Sequence, residues 1–396
     1  MRRLLLLVIL VAQSDCRNSS VRGDRIETDS LRIQNIDLGA RSPGSNTFSA
    51  EVYNKTAAPL IIGLDIRAVP GLWVRRNWER TYAFAVPAGT GRRIAAPYEF
   101  PRLTPEGRLR VTFARVQGVF PAPDRPRDSI GVEIDLQHPA YQKWYDIGKD
   151  NPAAIDPRRG MTRLQTAHFD IYAHRGSEAS GRLDTIAAER ERAVTQISAF
   201  LGVDFRDTIR LVFYPDSATK TDETGHIGMG WAANGTIVEI YNPQQRLNPY
   251  HEIAHLVAGK LGDPPAFLDE GFATYISEYL GSDALEHLSH YGPGIHTAVC
   301  AIMRRHRSIP FQRLFRFTDI GSDSTEPAVA YPQAAAVVQY LVDTQGRDRF
   351  QEIYRTLRVT DDSTLQEANE AAFQRLVGVG LARFERDWRA SLNCPG

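Results

Sequence analysis

The sequence predicts an α+β protein: an N-terminal β-sandwich, then a small α/β subdomain, then a helical C-terminal subdomain. Three observations carry this expectation. Residues 48–53, 80–86 and 109–116 alternate apolar and polar side chains, and 60–66 is an apolar-rich strand, between turns bearing Gly and Pro. Residues 166–241 mix short strand-like runs with one long amphipathic stretch at 178–201. Past residue 248 the chain reads as almost all helix.

Taken in order, the chain begins with Met1-Arg2-Arg3 and an unbroken apolar run at 4–12. That run is far short of the roughly 20 residues a membrane span needs, but it suits the apolar centre of a secretory signal peptide. Ala12-Gln13-Ser14 supplies small residues at the cleavage spacing, so residues 1–15 are expected to be a signal peptide, with the mature protein secreted or in the periplasm or cell envelope. Cys16 follows at once and offers a lipid attachment point, although Asp15 stands where such signals normally carry a small residue.

Residues 24–138 are expected to form the sandwich, an immunoglobulin-like arrangement being one form open to short strands of this spacing. Residues 139–162 hold Pro139, Gly148, Pro152, Pro157 and Gly160 and read as a linker. Residues 163–396 then form the second domain, with strands at 167–173, 208–214 and 236–241 and a long helix at 178–201. A length of 396 residues is comfortable for two such domains. The 47 basic and 47 acidic residues cancel, which argues against nucleic acid as the main partner. Cys300 and Cys394 can pair in an oxidising compartment or remain two thiols on separate helices; the sequence leaves both open.

The chemistry concentrates in His251-Glu252-Ile253-Ala254-His255. Side chains four apart on a helix stand on one face, so the two imidazoles can share a metal ion. Asn248 can cap this helix, Pro249 suits its first turn, and Gly259 and Gly262 offer a stop. Glu252 sits beside the two histidines, placed to take a proton from water without itself binding the metal. After the Pro264-Pro265 turn comes Leu268-Asp269-Glu270-Gly271-Phe272-Ala273. A catalytic zinc prefers three protein ligands and one open position, and Glu270 can complete a set with His251 and His255. Gly271 beside it permits a close helix–helix approach.

These two motifs together resemble the gluzincin metallopeptidases, the group that includes thermolysin and the aminopeptidase-N family. The resemblance spans roughly residues 165–392 and is strongest at 248–280. It implies one zinc ion per chain, peptide or protein substrates, and a cleft between the α/β and helical subdomains. It also implies that the strand at 236–241 forms the rim on which substrate backbone pairs. Tyr331-Pro332-Gln333-Ala334-Ala335-Ala336 is similar to the family's helix start, whose tyrosine stabilises an oxyanion, and Glu385-Arg386-Asp387-Trp388 looks like a last helix of related peptidases.

Two departures qualify it. The Gly-x-Met-Glu-Asn segment that holds a substrate amine is absent, since Gly225-His226-Ile227-Gly228-Met229-Gly230-Trp231 carries no acid, so an endopeptidase is expected more than an aminopeptidase. Thr274 occupies the place of thermolysin's supporting acid four residues after the third ligand, so that support to a histidine must come from elsewhere. His226 can touch substrate or simply pack in its glycine loop. A different class of function is also open: the sandwich binds an envelope polymer or partner protein, and the second domain is its scaffold. Loss of Glu252 or of a ligand would favour that reading, and all four residues are present.

Overall fold

The computed structural model describes residues 25–71, 73, 77–100, 102–121 and 130–394; the expected signal peptide and Cys16 lie outside them. The chain divides into two compact units, one of residues 1–157 with Glu223–Gly225, the other of 158–222 with 226–396.

The first unit contains strands β1 (Ile26–Glu27), β2 (Leu31–Asp37), β3 (Gly44–Asn54), β4 (Leu60–Val69), β5 (Trp78–Val86), β6 (Gly91–Phe100), β7 (Arg108–Pro121), β8 (Ile130–Ile134) and β9 (Tyr141–Asp146). They form two antiparallel sheets, one in the order β1-β2-β3-β6, the other β5-β4-β7-β8 with β9 also on β7. Alternate residues from both sheets enter one core, where Ile33, Phe48 and Val52 meet Leu64, Val111 and Phe113. The two sheets thus pack as a sandwich over one core, with alternate side chains turned inward.

The expected linker at 139–162 differs. Tyr141, Trp144 and Tyr145 give its first part strand propensity, and Tyr141–Asp146 pairs along β7 as β9. Pro139 and Gly148 mark the two ends of that strand, and the division between units falls after Pro157.

The second unit contains strands β10 (Met161–Gln165), β11 (Phe169–His174), β12 (Ile209–Tyr214), β13 (Gly230–Ala233) and β14 (Thr236–Ile240). Its helices are α1 (Glu178–Gly181), α2 (Leu183–Leu201), α3 (Ser217–Thr224), α4 (His251–Ala258), α5 (Ala266–Tyr279), α6 (Ile295–Arg304), α7 (Phe311–Phe315), α8 (Pro327–Gln345), α9 (Arg347–Thr356), α10 (Ser363–Val377) and α11 (Leu381–Ser391). The sheet order is β10-β11-β12-β14-β13, with β11, β12 and β14 parallel. The helix expected at 178–201 is interrupted at Arg182, whose backbone (φ −128, ψ 17) leaves helical values.

The register overturns one expectation about the rim. β14 is hydrogen-bonded on both sides and buried along its whole length, so it is interior and cannot receive a substrate strand. β13 is the edge of this sheet among the described residues, paired to β14 on one side only. Cys300 and Cys394 form a disulfide that ties the segment after α11 to α6.

Candidate metal centre

Helix α4 opens as its sequence dictates. Asn248 Oδ1 accepts the backbone N–H of Tyr250 and His251, each at 3.0 Å, which satisfies donors that have no partner inside the helix. Ser277 of α5 also donates to Asn248 Oδ1, at 3.1 Å, so the start of α4 is fastened to α5. Ile253, Ala254 and Val257 fill the apolar side, and Gly259 closes the helix. Pro265 precedes α5, whose fifth residue is Glu270.

His251, His255 and Glu270 converge. His251 Nε2 and His255 Nε2 lie 3.3 Å apart, and Glu270 Oε2 is 3.3 Å from the first and 3.4 Å from the second. Glu270 Oε2 is buried and makes no hydrogen bond of acceptable geometry. Three ligand atoms around a tetrahedral zinc at ~2.0–2.2 Å stand about 3.3–3.6 Å apart, because a tetrahedron's edge is ~1.6 times its centre-to-corner length. The observed triangle has those edges, so the side chains fit a zinc ion.

The electrostatics agree. Burial opposes protonation of His255, but Asp269 and Glu270 outweigh it and hold the imidazole pKa well above its ordinary value. Burial would raise the Glu270 carboxyl, yet His255 and His251 hold it far below the usual carboxylate range. A proton and a divalent cation compete for these same atoms.

Around the triangle stand the remaining expected residues. Glu252 is 8 % exposed and lines a cleft of about 320 Å³ together with His251, Tyr331, His226, Met229 and Gly230. A Cβ on Gly230 would lie 3.3 Å from Glu252 Oε1 and 2.4 Å from Leu247 Cδ1, so glycine at the start of β13 leaves room for the carboxylate. Tyr331 sits one turn inside α8 rather than at its first residue, its ring centroid 6.2 Å from that of His251. Burial and then the charges of Glu270 and Glu252 push the Tyr331 phenol up, so it stays a hydrogen-bond donor. Pro332, next to it, cannot donate to Ala328 O as a residue four along a helix normally does; Ser289 Oγ donates to that carbonyl instead, at 2.8 Å.

Gly271 permits the close helix–helix approach expected of it, and the partner is α8. A Cβ there would lie 2.7 Å from Ala334 O and 2.8 Å from Ala334 C, so glycine lets α5 touch the backbone of α8, the helix that carries Tyr331.

Sequence reasoning missed Asp269. His255 Nδ1 donates to Asp269 Oδ2 at 3.0 Å, and Tyr354 Oη donates to Asp269 Oδ1 at 2.7 Å. The signal was an acid immediately before the third ligand. Thr274, at the place of the family's supporting acid, is fully buried with its hydroxyl unpartnered, and His251 Nδ1 is likewise buried without a partner. Beneath α4, Arg190 of α2 holds Glu239 of β14 by two hydrogen bonds of 3.0 and 2.6 Å, both side chains buried.

No protein-family model and no curated protein matches the chain. Among solved structures it is similar to an M1 zinc metallopeptidase from Deinococcus radiodurans, with 15% identity over 94% of this chain and 96% of that one and a TM-score of 0.40. A variant of that enzyme bound to a Tyr-Ser-Ala substrate gives 15% identity over 87% and 90%, with a TM-score of 0.40. IMPa from Pseudomonas aeruginosa in complex with an O-glycopeptide gives 12% identity over 86% of this chain and 47% of that one, with a TM-score of 0.27. With identities of 12–15% and TM-scores of 0.40 and below, any functional reading rests on the side chains of the site.

Proposed function

We propose that the chain is a zinc-dependent peptidase, with His251, His255 and Glu270 as the ligands. The observation that carries this is the triangle of Nε2, Nε2 and Oε2 atoms with edges of 3.3 to 3.4 Å. A zinc ion held there supplies Lewis acidity, polarising a carbonyl and making water acidic near neutral pH. Glu252 then accepts the proton of the attacking water and hands it to the leaving amine. Tyr331 donates its phenolic hydrogen to the carbonyl oxygen as negative charge develops on it. β13, the edge strand of its sheet among the described residues, is the place along which an extended peptide can align.

We further propose internal cleavage in preference to removal of N-terminal residues. Gly230 stands near Glu252 on the strand that would otherwise carry an amine-binding acid, so nothing on β13 anchors a free N-terminus. Action outside the cytoplasm is part of the same proposal, motivated by the basic and apolar start of the chain and supported by the Cys300–Cys394 crosslink.

The test is metal analysis of the purified full chain, with cleavage of N-terminally blocked, internally quenched peptides. We expect about one zinc per chain, lost in His251→Ala and His255→Ala, and cleavage that a chelator abolishes. Full zinc occupancy in either variant would show that the ligands are wrongly assigned. Cleavage restricted to peptides with a free N-terminus would overturn the internal-cleavage reading alone.

A further inference from the structure

The side chain of Asp269 is 37 % exposed, so nothing about its burial fixes its rotamer. A carboxylate in that position turns toward water unless something holds it, and holding it costs side-chain entropy. Two donors hold this one. Tyr354 Oη reaches Oδ1 at 2.7 Å, and His255 Nδ1 reaches Oδ2 at 3.0 Å. Tyr354 is itself 0 % exposed, with its ring against Phe272 (6.2 Å between centroids) and Phe350 (6.0 Å), so its hydroxyl cannot follow the carboxylate if the latter moves. The chain of bonds therefore runs from an immobile phenol on α9 to an imidazole on α4.

We propose that Tyr354 is a positioning residue of the metal centre: it fixes Asp269, which fixes the tautomer and ring orientation of His255. This rests on the reading of His251, His255 and Glu270 as a zinc site. With its Nδ1 proton given to Asp269, His255 keeps the Nε2 lone pair directed at the other two ligand atoms. His251 has no such restraint, since its Nδ1 is buried without a partner. Preorganisation of the first turn of ligands is thus concentrated on His255, and it depends on α9, which is 85 residues from Asp269 at the position of Tyr354.

The experiment measures zinc affinity of the full chain by competition with a chromophoric chelator, with zinc alone as the probe. Tyr354→Phe removes one oxygen and keeps the packed ring. Loss of a group that orients a metal ligand typically costs about 10–100-fold in metal affinity, and that is the weakening expected for Tyr354→Phe and for Asp269→Asn. Because Tyr354 acts through Asp269, the double variant should bind zinc no more than about twofold less tightly than Asp269→Asn alone. A merely structural tyrosine would give losses that multiply, and that result overturns the proposal. So does a Tyr354→Phe affinity within twofold of the unsubstituted chain. Absence of tight zinc binding by the unsubstituted chain would instead sink the metal reading on which the proposal rests. Should Tyr354→Phe fail to fold, Asp269→Asn decides: undiminished zinc affinity overturns the relay, and a tenfold loss or more upholds its Asp269–His255 arm.

Discussion

Replacing Gly271 by alanine tests how α5 and α8 build the site, because the sign of the effect differs between the two possible answers. In an unobstructed helix, Gly→Ala stabilises by about 1 kcal/mol, since alanine orders the backbone at lower entropic cost. At Gly271 the new Cβ would stand 2.7 Å from Ala334 O, 2.8 Å from Ala334 C and 3.0 Å from Val338 Cγ2. Ordinary contact begins near 3.4 Å, so the helices must part by roughly half an ångström or more, and the obstructing atoms are backbone that no rotamer change can remove. Overpacking of this kind costs about 1–3 kcal/mol, and subtracting the helix gain leaves a net loss of about 0–2 kcal/mol. Tyr331 stands one turn before Ala334 on α8, so the same displacement moves its phenol away from the cleft. A misplacement of about 1 Å can cost on the order of 10²-fold in rate. We therefore predict that Gly271→Ala still binds zinc, though less tightly than the parent, is not stabilised, and loses turnover mainly in kcat. Urea unfolding followed by helical circular dichroism measures the first effect and peptide cleavage the second. A variant about 1 kcal/mol more stable than the parent, with unchanged kcat, would refute the close contact.

Three further outcomes are expected. Glu252→Gln keeps the side-chain shape and removes the base, so turnover should fall ~10²–10⁴-fold with zinc content unchanged; a fully active variant would leave the two-histidine motif without its chemistry. Tyr331→Phe should lower kcat roughly 10²–10³-fold and leave KM and metal nearly as they were, and a parental kcat would remove this hydroxyl from the mechanism. Reducing the Cys300–Cys394 bond, which spans 94 residues of sequence, should lower stability by about 2–4 kcal/mol; equal urea midpoints with and without reductant would show that the crosslink contributes nothing.

What the sequence disclosed, and what it hid, follows from the range of the signals. Alternation along β3, β5 and β7 and the apolar run of β4 are local, so each strand was readable from its own residues. The spacing of His251 and His255 is likewise local to one helix. β9 was concealed because turn residues at its ends, Pro139 and Gly148, dominated a window in which only six residues pair. The misplaced rim has a clearer lesson. Thr236-Ile237-Val238-Glu239-Ile240 carries three β-branched apolar residues in five, a near-continuous run that suits a strand covered on both faces, and all five are buried. β13, the true edge, reads Gly230-Trp231-Ala232-Ala233, too short and too poor in strand formers to be seen in advance. Asp269 and Tyr354 were out of reach for another reason: their bond joins residues 85 apart, and no periodicity announces a pair at that distance.

The fragment Asp269-Glu270-Gly271 gains a physical meaning from these contacts. Successive residues on a helix point about 100° apart, so three in a row address three different neighbours. Here Asp269 accepts hydrogen bonds from α4 and α9, Glu270 faces the two histidines, and Gly271 lets α8 approach to backbone contact. The carboxylate of Glu270 is thus set by a residue on each side of it: one ties α5 to α9 and the other fixes its distance from α8. Substitutions at 269 and 271 should accordingly be coupled to the metal without touching it, and coupled to each other through the placement of a single helix turn. That is a stronger constraint than a third ligand alone would impose, because any glutamate on an adjacent helix could donate an oxygen. A helix held simultaneously by α4, α8 and α9 keeps that oxygen 3.3 to 3.4 Å from both imidazoles with little freedom to drift.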